Sequence, residues 1–195
     1  MATIHPRRIQ GAWLKGIALD VHTVSSVHVG QDESGRSKFE TTRSELGELM
    51  YRLKYQQDKR AAAEIVETVA QYLQPYLKNF ELIVPVPPST TRNFQPVLVL
   101  ARGIAAAVEC PVFDCIDKAR ATPGLKDVLE PEKRKELLTG LYSVDPKAIE
   151  GRHVLLIDDL YRSGSTMSAA TEALLSQGKA ASVRALAITY TRTHS

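Results

Sequence analysis

His153 to Leu175 reads HVLLIDDLYRSGSTMSAATEALL, and this stretch decides the fold. The run Val154 to Ile157 is what a strand of a buried parallel sheet looks like. It leads straight into Asp158 and Asp159. Two neighbouring carboxylates repel each other and gain nothing from apolar surroundings, so something outside the backbone is expected to use them. RSGST then turns into a helix whose apolar face is Met167, Ala170 and Leu174.

Helix starts leave amide N–H groups unpaired and carry partial positive charge. Ser163, Ser165 and Thr166 add hydroxyl donors, and Gly164 allows close backbone approach. Such a turn makes a phosphate cradle. An ionised carboxylate only accepts hydrogen bonds. Its natural partners beside a phosphate are sugar hydroxyls or the water of a metal ion. The bland alternative is a strand–turn–helix in which Asp and Ser merely cap.

Working outward, residues 14–40 alternate loosely around QDESGRS and read as a β-hairpin or short meander. Leu46, Leu49, Met50 and Leu53 recur at helical spacing behind SELGE, which resembles a capping box. A second helix is expected over 59–77, a strand over 80–86, and a third helix over 96–109 opened by Pro96. PVFDCI at 111–116 is strand-like, 118–131 reads as an exposed loop, and a short helix is expected around 131–139. The strand at 153–157, the helix at 165–176, a stop at Gly178 and a last strand SVRALAITY complete the chain. This alternation predicts an α/β fold with a mainly parallel sheet flanked by helices. Ligands of such sheets gather at the carboxyl ends of strands.

VLLIDDLYRSGSTM resembles the phosphoribosyl-diphosphate binding motif of type I phosphoribosyltransferases, where two acidic residues follow a hydrophobic strand and precede TTGAT. MYRLKYQQDKRAA, IVPVPPSTTR, TPGLKD and RKELLTGLYSV are similar to the ComF-like, amidophosphoribosyltransferase-like branch, over roughly residues 45–192. Two departures stand out. The four-cysteine zinc module typical of that branch is not in this sequence, and RNFQP stands where RGFNQ is usual. The resemblance implies that Asp158 and Asp159 hold the ribose 2′- and 3′-hydroxyls. It assigns the 5′-phosphate to Arg162, Ser163, Gly164, Ser165 and Thr166, with Arg162 replacing the first Thr of TTG.

The second unusual strand end is PVPPSTTR, with Pro88, Ser89 and Arg92 as the pyrophosphate contacts that the resemblance implies. An ordinary proline-rich turn is the plain alternative. Residues 118–134 would form a lid, with Lys118 and Arg134 as its candidate contacts. The implied reaction is a Mg²⁺-dependent phosphoribosyl transfer from phosphoribosyl diphosphate to a small-molecule acceptor, with release of pyrophosphate. Mg²⁺ would span substrate oxygens and reach Asp158 and Asp159 through water. No strong acid or base stands out, and Asp159 is the nearest to such a role. The acceptor would be chosen by a hood, here residues 1–43 as an N-terminal β extension ahead of the 44–195 domain. Trp13 and Phe39 are the aromatics considered for it.

Bulk properties bound the rivals. The chain has 195 residues, 44% hydrophobic and 24% charged, with a formal net charge of +3. That suits one globular domain and an anionic ligand. No apolar run approaches the ~20 residues of a membrane span, and no signal peptide is visible, so a cytoplasmic protein without a membrane partner is expected. Cys110 and Cys115 match no metal motif and read as reduced thiols. GIALDVHTV at 16–24 mimics a haloacid-dehalogenase phosphatase motif, but His22 stands where that chemistry needs a second Asp. A non-catalytic binder of phosphoribosyl diphosphate or a nucleotide, tied to DNA uptake through the ComF likeness, is the principal alternative. HPRRIQ gives thin support for nucleic acid, which is not an expected partner. A homodimer fits the resemblance, though no interface signature is present.

Overall fold

The structure is a computed structural model describing residues 1–31, 34–88, 94–119, 130, 133 and 137–192. Its strands are β1 (Arg7–Arg8), β2 (Lys15–Val21), β3 (Thr23–Gln31), β4 (Ser37–Arg43), β5 (Leu82–Pro85), β6 (Ile116–Lys118), β7 (Tyr142–Val144), β8 (His153–Tyr161) and β9 (Ser182–Tyr190). Its α-helices described over their whole length are α1 (Glu45–Gln56), α2 (Lys59–Leu73), α3 (Pro96–Ala107) and α4 (Ser165–Ser176). The central sheet runs β1-β2-β9-β8-β5. β2, β9, β8 and β5 are parallel, and β1 closes the edge antiparallel to β2. The expected α/β class and mainly parallel sheet are therefore what the chain adopts.

Two apolar layers cover the sheet. On one face Leu46, Leu53, Ile65, Leu100 and Ile104 pack against Leu155, Ile157 and Ile188. On the other Met167, Ala170 and Leu174 pack with Trp13, Tyr142 and Leu156. The alternation of β8 explains this division, because successive side chains point to opposite faces. Each fully buried Leu or Ile contributes ~2 kcal/mol by removal of apolar surface from water.

Several expectations shift. The hairpin reading holds from Thr23 onward, where β3 pairs with β4. Lys15–Val21 instead joins the central sheet, parallel to β9. Its Ala18, Leu19 and Val21 are buried, as a strand between two neighbours requires. The helix expected to Leu77 ends at Leu73 and tightens into a 3₁₀ turn over Gln74–Asn79, where Pro75 removes a donor. The expected strand 111–116 is a single bridge from Val112 to Ile83, and Ile116 begins β6. SELGE supplies half of a capping box. Ser44 Oγ accepts from Gly47 N, whereas Glu48 reaches Arg43. The short helix near 131–139 lies mostly outside the described residues.

The strand of the deciding motif is longer than its aliphatic run. β8 continues through both aspartates to Tyr161 because β9 keeps pairing with it, as far as Tyr161↔Tyr190. On its other side β5 stops at Pro85↔Ile157, and Val86 N makes the last bond to Ile157 O. Among the described residues, Asp158 and Asp159 thus occupy a step in the sheet, paired on one side only.

Candidate functional site

Pleating separates the two aspartates that adjacency in sequence would crowd together. The Asp158 carboxylate accepts from the Asp159 amide at 2.8 Å. Burial, then the neighbouring Asp159 charge, raises its pKa well above the ordinary carboxylate range. Tyr142, buried on β7, feels the same carboxylate: burial and the Asp158 charge both raise its phenol. Asp159 takes the other face and meets Lys54 Nζ of α1 at 2.9 Å. Both members of that pair are largely shielded, at 31% and 17% exposure.

The turn after β8 is shaped by one residue. Gly164 has φ +77 and stands as the N-cap of α4, without any side-chain cap. A Cβ there would meet the Tyr161 ring at 2.7 Å and Gln10 O at 3.2 Å. Glycine is thus required both by backbone conformation and by space. The opening amides of α4 keep their N–H groups uncapped by a side chain, and Ser163 Oγ lies 2.9 Å from Ser165 Oγ. Arg162 and Ser163 are exposed, whereas Ser165 and Thr166 are half-buried. The turn, the acidic pair and the helix start together offer donors for an anion beside acceptors for hydroxyls.

An N-terminal segment props this turn from behind. Tyr161 Oη donates to Gln10 O at 3.1 Å, and Trp13 meets Tyr161 edge-on with ring centroids 6.3 Å apart. Trp13 is only 7% exposed, and its indole N–H donates to Ile9 O. The expectation that Trp13 would help recognise an acceptor is corrected: its ring is committed to the core. Gly11 and Gly16 press against it so closely that a Cβ at either would overlap the indole. Phe39 does lie out on the β3–β4 hairpin, 55% exposed, with His28 edge-on at 5.3 Å.

At the second strand end, Val86 and Pro87 are buried and Pro88 is exposed. Ser89 and Arg92 lie outside the described residues, as does Arg134. Lys118 closes β6 directly opposite Tyr142 on β7, and burial lowers its pKa. Because cross-strand partners project to one face, Lys118 shares a face with the phenol beside Asp158. Among the described residues no group of three or more His, Cys, Asp or Glu side chains is arranged to hold a metal ion. Asp158 and Asp159 offer only oxygen donors, the donor type that suits a hard divalent cation.

Three further groups were not singled out as site residues in sequence. Lys54 lies on the edge of the α1 apolar face, next to buried Leu53. Arg43 stacks 3.9 Å above the Tyr51 ring and pairs with Glu48 at 3.0 Å. His22, just past β2, approaches Thr189 Oγ1 through Nδ1 at 3.2 Å, and Thr189 Oγ1 donates to Asp159 O at 3.0 Å. Burial, then the cations of Arg43, Lys54 and Arg162, lowers the His22 pKa, while Asp159 opposes them. His22 had appeared only as the residue that ruled out a phosphatase motif, and Lys54 only inside a segment of likeness. Nothing local in either segment announces that packing brings it to the acidic pair.

Comparison with known proteins gives a family model, the phosphoribosyl transferase domain, that matches residues 97–194. Competence protein ComFC of Bacillus subtilis is 28% identical over 134 residues, which is 64% of this chain and 52% of that protein. The chain therefore spans about half the length of that curated relative. Orotate phosphoribosyltransferase from Aeropyrum pernix aligns with a TM-score of 0.46 at 16% identity, covering 85% of this chain and 73% of that one. Adenine phosphoribosyltransferase from Thermoanaerobacter pseudethanolicus aligns with a TM-score of 0.46 at 12% identity, covering 85% and 94%.

Proposed function

The chain belongs to the phosphoribosyl transferase domain family, and from that premise we propose that it lies on the ComF-like branch, binds phosphoribosyl diphosphate with Mg²⁺ and transfers the phosphoribosyl group to a small-molecule acceptor. One observation carries this reading. The acidic pair, on a strand end paired on one side only, adjoins a helix whose glycine N-cap leaves its first amides free of side-chain capping. Asp158 and Asp159 would accept the ribose 2′- and 3′-hydroxyls. The amides and hydroxyls of Ser163, Gly164, Ser165 and Thr166 would hold the 5′-phosphate, with Arg162 adding charge at its rim. Pro88, Ser89 and Arg92 follow β5 and would face the pyrophosphate. Lys118 and Arg134 would close over it. The β3–β4 hairpin is the candidate hood over the acceptor.

In the transfer, the acceptor's lone pair forms a bond to the anomeric carbon as the bond from that carbon to the diphosphate oxygen breaks. The electron pair leaves with pyrophosphate. Asp158 and Asp159 would hold a Mg²⁺ ion through water, and its charge would neutralise that of the leaving group. The chain's own part is to orient the sugar and hold its phosphate rigid, which positions the anomeric carbon for attack. Burial raises the Asp158 pKa, so accepting a ribose hydroxyl, which favours the ionised carboxylate, would be coupled to loss of its proton.

Calorimetric titration of phosphoribosyl diphosphate with Mg²⁺ tests the reading. Wild-type protein should show saturable uptake, and the Asp158→Ala/Asp159→Ala double variant should lose it at least tenfold. Unchanged uptake by the double variant would sink the assignment. A parallel assay of pyrophosphate release over nucleobases, amines and ammonia separates turnover from binding alone.

A further inference from the structure

The hydrogen-bond chain behind the acidic pair has a direction. A threonine hydroxyl carries a single proton. That of Thr189 is donated to the main-chain carbonyl of Asp159 at 3.0 Å. At its 3.2 Å contact with His22 Nδ1, Thr189 Oγ1 is therefore the acceptor, and Nδ1 carries the hydrogen. Burial and the cations of Arg43, Lys54 and Arg162 favour an uncharged ring, and the Asp159 carboxylate opposes them. In a neutral imidazole with hydrogen on Nδ1, Nε2 holds a bare lone pair. Nε2 has no protein partner among the described residues.

His22 is held at its main chain from two sides and at its ring from one. His22 N donates to Tyr190 O at 2.8 Å. Gly47 of α1 abuts the His22 carbonyl so closely that a Cβ would land on it. Thr189, fully buried, fixes the ring edge. β2 lies two strands from β8, so His22 emerges at the same carboxyl end as the acidic pair, ~10 Å across the sheet. Under the proposed binding mode, with the pyrophosphate beyond β5, a base there would face an acceptor approaching the anomeric carbon from the opposite side.

We propose that His22 is a catalytic residue whose Nε2 accepts the N–H of a nitrogen nucleophile as that nitrogen attacks the anomeric carbon. The inference rests on the phosphoribosyl-transfer reading and adds to it the residue that takes the acceptor's proton. As the new nitrogen–carbon bond forms, the N–H bond breaks toward Nε2, and the imidazolium returns its proton to water. The surrounding cations disfavour a protonated amine, so the acceptor nitrogen arrives uncharged: a ring N–H, an amide-like N–H, or free ammonia.

The test compares wild type with His22→Asn, His22→Ala and Thr189→Val. Calorimetry with phosphoribosyl diphosphate and Mg²⁺ should show uptake within about twofold of wild type for all three. His22→Asn keeps a donor toward Thr189 but lacks Nε2, so kcat should fall about 100-fold with acceptor KM moved far less. Added imidazole should restore part of the activity of His22→Ala, which a merely structural role would not allow. Independently of any variant, ¹⁵N chemical shifts of the His22 ring should report hydrogen on Nδ1 and a bare Nε2. The opposite tautomer, or wild-type kcat in His22→Asn, overturns the proposal. Wild-type protein that takes up phosphoribosyl diphosphate yet releases no pyrophosphate with any N–H acceptor overturns it alone. Absence of uptake overturns the transfer reading with it.

Discussion

Gly164 concentrates more constraint than any other residue of the turn. Its φ of +77 is open to few L side chains, and the Tyr161 ring stands 2.7 Å from where a Cβ would go. Gly164→Ala should destabilise by about 1–3 kcal/mol, measured by urea unfolding. Tyr161→Ala in the same chain should recover only the steric part, because the backbone penalty remains. His22 sets a second expectation at this scale. Its folded-state pKa lies below the unfolded value of about 6.5, so between the two the unfolded chain binds more protons. Stability from this residue is present above about pH 7 and lost as pH falls through that window. The Tm of wild type relative to His22→Asn should therefore drop as pH falls below about 6.5. A flat difference would mean that the ring is not held neutral.

Helix α1 joins the fold to the site. Ser44 caps its start by accepting from Gly47 N and in turn donates to Val21 O. Its apolar face buries Leu46, Leu49, Met50 and Leu53, and its last turn delivers Lys54 to Asp159. Gly47 is what lets the helix lie against the backbone of His22. On an isolated helix, Gly47→Ala would stabilise by ~1 kcal/mol. In this chain the added methyl has no room, so the sign should reverse to a net loss of about 1–3 kcal/mol. Thermal unfolding with far-UV circular dichroism checks it, and a rise in Tm would show that α1 does not sit where the structure has it. The same variant should disturb His22 and lower turnover with little change in uptake of phosphoribosyl diphosphate.

For the whole molecule, the proposed uptake at the strand ends would tie stability to ligand. At a concentration 100-fold above Kd, a ligand that binds only the folded state contributes ~2.7 kcal/mol. For a chain of 195 residues that corresponds to a Tm rise of about 5–10 °C. Phosphoribosyl diphosphate with Mg²⁺ should produce it in wild type and not in Asp158→Ala/Asp159→Ala; an equal rise in both would place the ligand elsewhere. The parallel sheet, the helix starting at Ser165 and the acidic pair were legible because each signal is local: aliphatic run, carboxylates, small residues and helical period follow one another within His153 to Leu175. The same holds for α2, α3 and β9, whose apolar periods are continuous. Joining β2 to the central sheet, turning Trp13 into the core and bringing Lys54 to Asp159 across 105 residues depended on packing. So did the contact of His22 with Thr189, across 167. Sequence by itself determined which strand ends carry the acidic pair and the small polar turn, since a chain's own period and polarity act over a few residues. Which distant cations and imidazole meet those ends was decided only by the tertiary structure. Such contacts form when separate apolar faces bury against one sheet, and no single segment encodes its partner.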